Sequence, residues 1–170
     1  MVRLAKAGHK VYAGVRNPGT ADDLKAAIEQ VEQAGGTIAM LTLDVTEEGS
    51  IQNAIGSVLA AEGRIDVLVN NAGISSRGSV EETPLEVFRG VFETNFFGLV
   101  AVTQAVLPGM RERGAGAIIN VGSLAGQMAF AAHSVYAPTK YAVEALTEIL
   151  AQQMLPFNVR VAVIEPGVIP

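Results

Sequence analysis

The sequence contains no cysteine and only two histidines, His9 and His133. Disulfides, thiolate metal sites and cysteine nucleophiles are therefore excluded, and no metal site is expected. His9 precedes a strand-like run and reads as solvent-facing. His133 lies three residues before Tyr136 and is a candidate for lining a substrate cleft, but with no partner in view a structural role is the favoured reading. An excess of positive charge is also missing. Twelve basic residues face seventeen acidic ones, for a net charge of −5, and the two halves of the chain differ little. This argues against a nucleic-acid binder, which presents a basic face. Long apolar runs are absent too. The most apolar stretch, Phe96 to Met110, includes Thr103, Gln104 and Pro108 and is shorter than the roughly 18 apolar residues of a membrane span. Met1 to Gly8 has no run fit for a signal peptide. It reads as the last turns of a helix stopped by Gly8. There are no repeats, low-complexity tracts or linkers. The lack of cysteine suits any compartment, and the cytoplasm is the expectation.

Hydrophobic residues make up 49% and charged residues 17% of the 170. That is enough apolar mass for a buried core, and disorder is not expected. Strand-length apolar runs alternate with helical patterns. Lys10–Val15, Thr37–Leu43, Ile65–Val69, Ala117–Val121 and Val159–Ile164 read as strands. Leu24, Ile28 and Val31 fall at helical spacing. Thr46 is placed to cap a helix whose buried stripe is Ile51, Ile55, Val58 and Leu59. Thr83-Pro84-Leu85-Glu86 has the form of a capping box with proline at the first helical position. It opens a helix to about Arg113, with room for a break, and a further helix spans about 134–155. Near-continuous apolar strands alternating with helices predict a parallel sheet covered by helices on both faces.

The chemistry is concentrated in Tyr136-Ala-Pro-Thr-Lys140. A phenol and an ammonium at i and i+4 share one helix face. A free phenol is a poor base at neutral pH, and a neighbouring cation favours its ionised form. Such a pair can give a proton to a carbonyl oxygen or take one from an alcohol. The spacing also arises by chance, so the surroundings have to carry the reading. Asn70-Asn-Ala-Gly73 follows one strand, Ser123 another, Pro166-Gly167 a third and Asp44-Val45 a fourth. Small or polar groups thus gather at the carboxyl edge, where open α/β sheets bind ligands.

These residues resemble the short-chain dehydrogenases/reductases over essentially all 170 residues. The marks are Asp44-Val45, Asn70-Asn-Ala-Gly73, Asn95 in Glu-Thr-Asn, Ser123 in Val-Gly-Ser, Tyr136-x-x-x-Lys140 and Pro166-Gly167. The resemblance implies a Rossmann-like, doubly wound parallel sheet and reversible hydride transfer between an alcohol and a carbonyl. It implies that Ser123 orients the substrate oxygen and that Tyr136 is the acid/base. Lys140 would bond the nicotinamide ribose and tune Tyr136, and Asn95 would hold a relay water. Asp44 and Val45 would meet the adenine, while Asn71, Ala72, Gly73, Pro166, Gly167 and Val168 would lie near the ribose and nicotinamide. Read without the family, Asn95 satisfies a backbone group inside a helix, and Ser123 is equally a cap.

Arg16 follows the strand Lys10–Val15, and no acidic residue stands at positions 14–17. An arginine there accommodates the 2′-phosphate of NADP, whereas an acid would bond the 2′-hydroxyl of NAD. NADP(H) is therefore expected over NAD(H). Neither G-x-G-x-x-G nor the family's Thr-Gly-x-x-x-Gly turn is present. The expectation is a single partial domain, residues 1–170, without the fold's first strand and its C-terminal part. Loss of a central strand would expose hydrogen-bonding edges and remove the pyrophosphate cradle. The competing reading is an inactive fragment or pseudoenzyme that serves as a binding module. The resemblance further implies a small-molecule substrate and, for the intact enzyme, a homodimer or homotetramer. Met128, Phe130 and His133 are placed to influence substrate choice.

Overall fold

The computed structural model describes residues 1–167. The chain forms two compact units, Met1–Ala61 and a second beginning at Glu62.

In the first unit, helix α1 (Val2–Lys6) leads into strand β1 (Lys10–Val15), helix α2 (Asp22–Gln33), strand β2 (Thr37–Thr42) and helix α3 (Glu48–Glu62). Gly8 adopts φ +91°, the left-handed turn that ends a helix and suits glycine. β1 and β2 pair in parallel from Lys10↔Thr37 to Val15↔Thr42. Ala5, Ala13, Val31 and Ile38 form the buried cluster, with Leu24 and Ile28 packed on it, so the α2 stripe lies where its spacing predicts. The α3 stripe is rotated. Ile51, Ala54 and Val58 are buried while Leu59 is exposed. At 100° per residue, 51, 54 and 58 share one line and 59 falls well off it. The cap also differs from expectation. Asp44 Oδ1 accepts from the Thr46 backbone N–H at 3.0 Å and from its hydroxyl at 2.7 Å, so the Thr46 hydroxyl is a donor in the turn ahead of α3, which begins at Glu48.

The second unit holds strands β3 (Val67–Asn70), β4 (Gly116–Val121) and β5 (Val159–Ile164) and helices α4 (Leu85–Phe92), α5 (Gly98–Arg113) and α6 (Tyr136–Met154). The strands are parallel in the order β3-β4-β5. Ile118, Met110, Val135 and Val143 are fully buried. A polar row ties the layers together. Asn70 Nδ2 donates to Thr103 Oγ1 and to Asn120 Oδ1, and Asn120 Nδ2 donates to Thr147 Oγ1, each at 2.9 Å. Buried amides persist when paired in this way. Burial on both strand faces, expected from the apolar runs, is approached by β4 alone of the three, with Ile118 and Asn120 buried on one face and Ala117, Ile119 and Val121 half-buried on the other. β3 and β5 flank it and alternate in exposure.

α4 and α5 are joined by one π-helical turn, Glu93–Phe97, which makes Leu85–Arg113 a 29-residue helix. By length and composition alone it could cross a bilayer, being longer than the apolar stretch within it. Its Leu99, Val102, Val106 and Met110 are buried in this unit. The capping box is not formed. Pro84 occupies the cap position without a side-chain bond, and the Thr83 hydroxyl donates back to Ser79 O.

Candidate active site

Because β3, β4 and β5 are parallel, their carboxyl ends open on one edge of the sheet. A cleft of about 240 Å³ lies there. Its walls are Asn71, Gly73, Ile74 and Ser75 after β3, Val121, Gly122 and Ser123 at the end of β4, and Pro166 and Gly167 after β5. Tyr136 and Lys140 from the first turns of α6 complete it. Small residues at three strand ends leave the space, and the start of α6 fills one side with the Tyr136 and Lys140 side chains.

Each side chain is held by its own element. Lys140 is only 5% exposed, and its Nζ donates to Val121 O at 2.7 Å. Burial pushes its basicity down, and the Glu144 carboxyl one turn along α6 pushes it back up. The Lys140 Nζ lies 5.6 Å from the centre of the Tyr136 ring. Ser123 is both readings at once. Its Oγ accepts from Ala125 N at 3.1 Å, capping the short 3₁₀ turn Leu124–Gly126, and the residue still lines the cleft. Leu124 N donates to Pro166 O at 3.0 Å, tying this turn to the segment after β5.

Tyr136 is set by the turn in front of it. Ala132 has φ +62°, a left-handed conformation that is costly for alanine. Gly78 holds it from the side: its N–H donates to Ala132 O at 2.9 Å, and the Ser134 hydroxyl donates to Gly78 O at 2.7 Å. His133 is half-buried between the rings of Phe130 and Tyr136, at 6.0 and 6.3 Å between centroids. Its Nδ1 is buried without a partner, and the residue is not in the cleft wall.

Asn95 lies in the π-helical turn and is 1% exposed. Its Oδ1 accepts from Ile74 N at 2.8 Å, and its Nδ2 donates to Ile74 O at 2.9 Å and to Thr139 Oγ1 at 3.1 Å. It clamps the loop after β3 to α6 from behind the cleft. A Cβ on Gly73 would stand 3.3 Å from Asn95 Oδ1, which keeps that loop close-fitting.

In the first unit, Leu43 N donates to Val15 O at 2.9 Å, which continues the β1–β2 ladder and brings Arg16 and Asp44 side by side. The hydrogen bonds from Thr46 hold the Asp44 carboxyl below the usual range, with a smaller push from Arg16. Arg16 is exposed and Val45 half-buried. Of the other predicted residues, Asn71, Gly73, Pro166 and Gly167 line the cleft, Ala72 is exposed beside it, and Val168 lies outside the described residues. Ile74, Ser75, Val121 and Gly122 line the cleft without having been singled out in the sequence. Their position one or two residues from the predicted ones was the available signal.

The short chain dehydrogenase family model matches residues 1–170. This chain belongs to the short chain dehydrogenase family. A Bacillus subtilis (strain 168) relative, "Uncharacterized oxidoreductase YusZ", is 42% identical over 166 residues, which cover 98% of this chain and 58% of that protein. A short-chain dehydrogenase from Streptomyces avermitilis superposes with a TM-score of 0.89 at 40% identity, covering 99% of this chain and 60% of the other. A metagenomic short-chain oxidoreductase in complex with NADP gives 0.90 at 28% identity, covering 98% and 75%. The chain thus spans well under two thirds of YusZ and of the Streptomyces protein. The parallel α/β architecture is the Rossmann fold of these short-chain dehydrogenases.

Proposed function

We propose that the protein interconverts an alcohol and a carbonyl with NADP(H), using Tyr136 as acid/base. The observation that carries this reading is the convergence of Ser123, Tyr136 and Lys140 on one cleft at the carboxyl ends of three parallel strands. The cleft fits a nicotinamide riboside. An ammonium has three donors, and Lys140 uses one on Val121 O, which leaves capacity for ribose hydroxyls at the cleft wall. When bound, the cofactor supplies or accepts the hydride.

The chain's own residues do the rest. Ser123 directs the substrate oxygen toward the phenol. In reduction Tyr136 gives its proton to that oxygen, and the Lys140 charge stabilises the phenolate left behind. In oxidation the proton runs the other way. Asn95 keeps the loop after β3 against α6 and, in this reading, holds a water on the proton path. Arg16 selects the 2′-phosphate.

Tyr136→Phe in the gene product that carries these residues tests the reading. It removes one oxygen and leaves the ring in place. Turnover of NADPH with a carbonyl substrate should fall by about 10²-fold or more, with KM for NADPH within about threefold. Retention of a tenth or more of the activity refutes the assignment.

A further inference from the structure

Tyr136 and Lys140 are the first two members of a row along α6, and the third, one turn on, is Glu144. It is 8% exposed, and its Oε1 is fully buried without a hydrogen-bond partner. Buried carboxylates are rare without partners, and leaving one unpaired is destabilising. A buried oxygen of this kind calls for an explanation.

Its surroundings point to one. A Cβ on Gly122 would overlap Glu144 Oε1, and a Cβ on Gly126 would come within 3.1 Å of it. Only glycine on both sides of the Ser123 turn admits the carboxyl. Lys140 meets Val121 through its carbonyl, and Glu144 meets the next residue, Gly122. Successive turns of α6 therefore place an ammonium and a carboxyl against successive residues of the segment that leads to Ser123. Residues four apart on a helix are about 5–6 Å apart at Cβ.

We propose that Glu144 is a positioning residue, the buried counter-charge that keeps Lys140 an ammonium beneath the Ser123 segment. The inference rests on the Tyr136–Lys140 reading given above. Among the described residues, Glu144 is the one charged group that raises the basicity of Lys140, against the lowering caused by burial. The groups acting on Glu144 are Lys140 and Glu148 on α6 and Glu165 after β5. The turn Leu124–Gly126 brings no charge, and α4 and the π-helical turn add none to either balance. Glu165 is itself engaged by the Gln127 amide.

The test is a ¹³Cε-lysine NMR titration of the protein alone, with Lys140 assigned by its loss in Lys140→Arg and exposed Lys6 as reference. In Glu144→Gln the Lys140 midpoint should fall by about one pH unit or more, while Lys6 stays put. An unmoved Lys140 midpoint overturns the proposal. If Glu144→Gln does not fold, the wild-type protein decides. Its Lys140 resonance should move a second time as the Glu144 carboxyl titrates, and a flat Lys140 signal across that titration is equally fatal. In the active enzyme, the alkaline limb of the kcat/KM profile should shift to lower pH in Glu144→Gln, a change that loosened packing alone does not produce. The two readings fail separately. An active Tyr136→Phe sinks the acid/base assignment whatever Lys140 does. An inactive Tyr136→Phe with an unmoved Lys140 midpoint sinks the Glu144 pairing alone.

Discussion

At the scale of single residues, Glu144 sets stability against chemistry. Burial, then Glu165 and Glu148, raise its carboxyl above the ordinary 4.5, and Lys140 opposes them without winning. A group raised in the folded state keeps its proton longer there than in the unfolded chain. Its favourable contribution is complete below the unfolded value and is lost as pH rises through the folded one. Glu144→Gln removes that loss. The variant should therefore gain stability relative to wild type as pH rises from 4 to 8, read from urea midpoints at each pH. A constant difference between the two proteins refutes this sign. The same residue shows where reading the sequence stopped short. Tyr136 and Lys140 were legible from their spacing, and extending the row by one more turn reaches Glu144. What spacing could not supply was the carboxyl's burial, which depends on Gly122 and Gly126 from another element. Asn95 was singled out through the family resemblance, in Glu-Thr-Asn. That its three bonds go to Ile74 and Thr139 needed the fold.

At the scale of elements, the start of α6 matters most, because Tyr136 is its first residue. The turn before it is held by Gly78 and carries alanine at φ +62°. A left-handed alanine costs about 1–2 kcal/mol relative to a relaxed one, and glycine's extra freedom in the unfolded chain offsets part of the relief. Ala132→Gly should thus stabilise the protein by about 0.5–1 kcal/mol with kcat unchanged, since the backbone conformation is the same. A fall in Tm would show that the turn relaxes rather than stores strain. Element type was readable from apolar periodicity, and so were both ends of β1 and β5, whereas β3 and the helices start or stop elsewhere than expected. Thr83-Pro84-Leu85-Glu86 has the letters of a capping box, yet the Thr83 hydroxyl prefers Ser79 O, a choice made by the path of the preceding loop. The helix to Arg113 was read with room for a break, and the structure has one π-helical turn within it, at Glu93–Phe97. Such turns recur at functional positions, and this one carries Asn95.

At the scale of the whole molecule, the parallel α/β plan was legible because apolar runs alternate with helical stripes. The exposure of β3 was not. Val67 and Val69 are 48% and 43% exposed, and their letters are those of a buried strand. The proposed chemistry is similarly spread along the chain: it puts cofactor choice at Arg16 and proton transfer at Tyr136, on separate stretches of sequence. Separately written functions should fail separately. Arg16→Ala removes the charge proposed to meet the 2′-phosphate and leaves the residues that line the cleft around Tyr136 unaltered. It should raise KM for NADPH by tenfold or more, the loss expected when one charge-assisted contact worth about 1.5–3 kcal/mol is removed. It should leave KM for NADH and the turnover at saturation within about twofold. Tyr136→Phe should do the reverse, lowering kcat with KM for NADPH nearly intact. Raising the salt concentration should weaken NADPH binding in wild type more than in Arg16→Ala, because an exposed ionic contact is screened. Equal losses for both cofactors in Arg16→Ala would place phosphate selection elsewhere in the chain. A wild-type protein that binds NADH more tightly than NADPH would overturn the cofactor assignment outright.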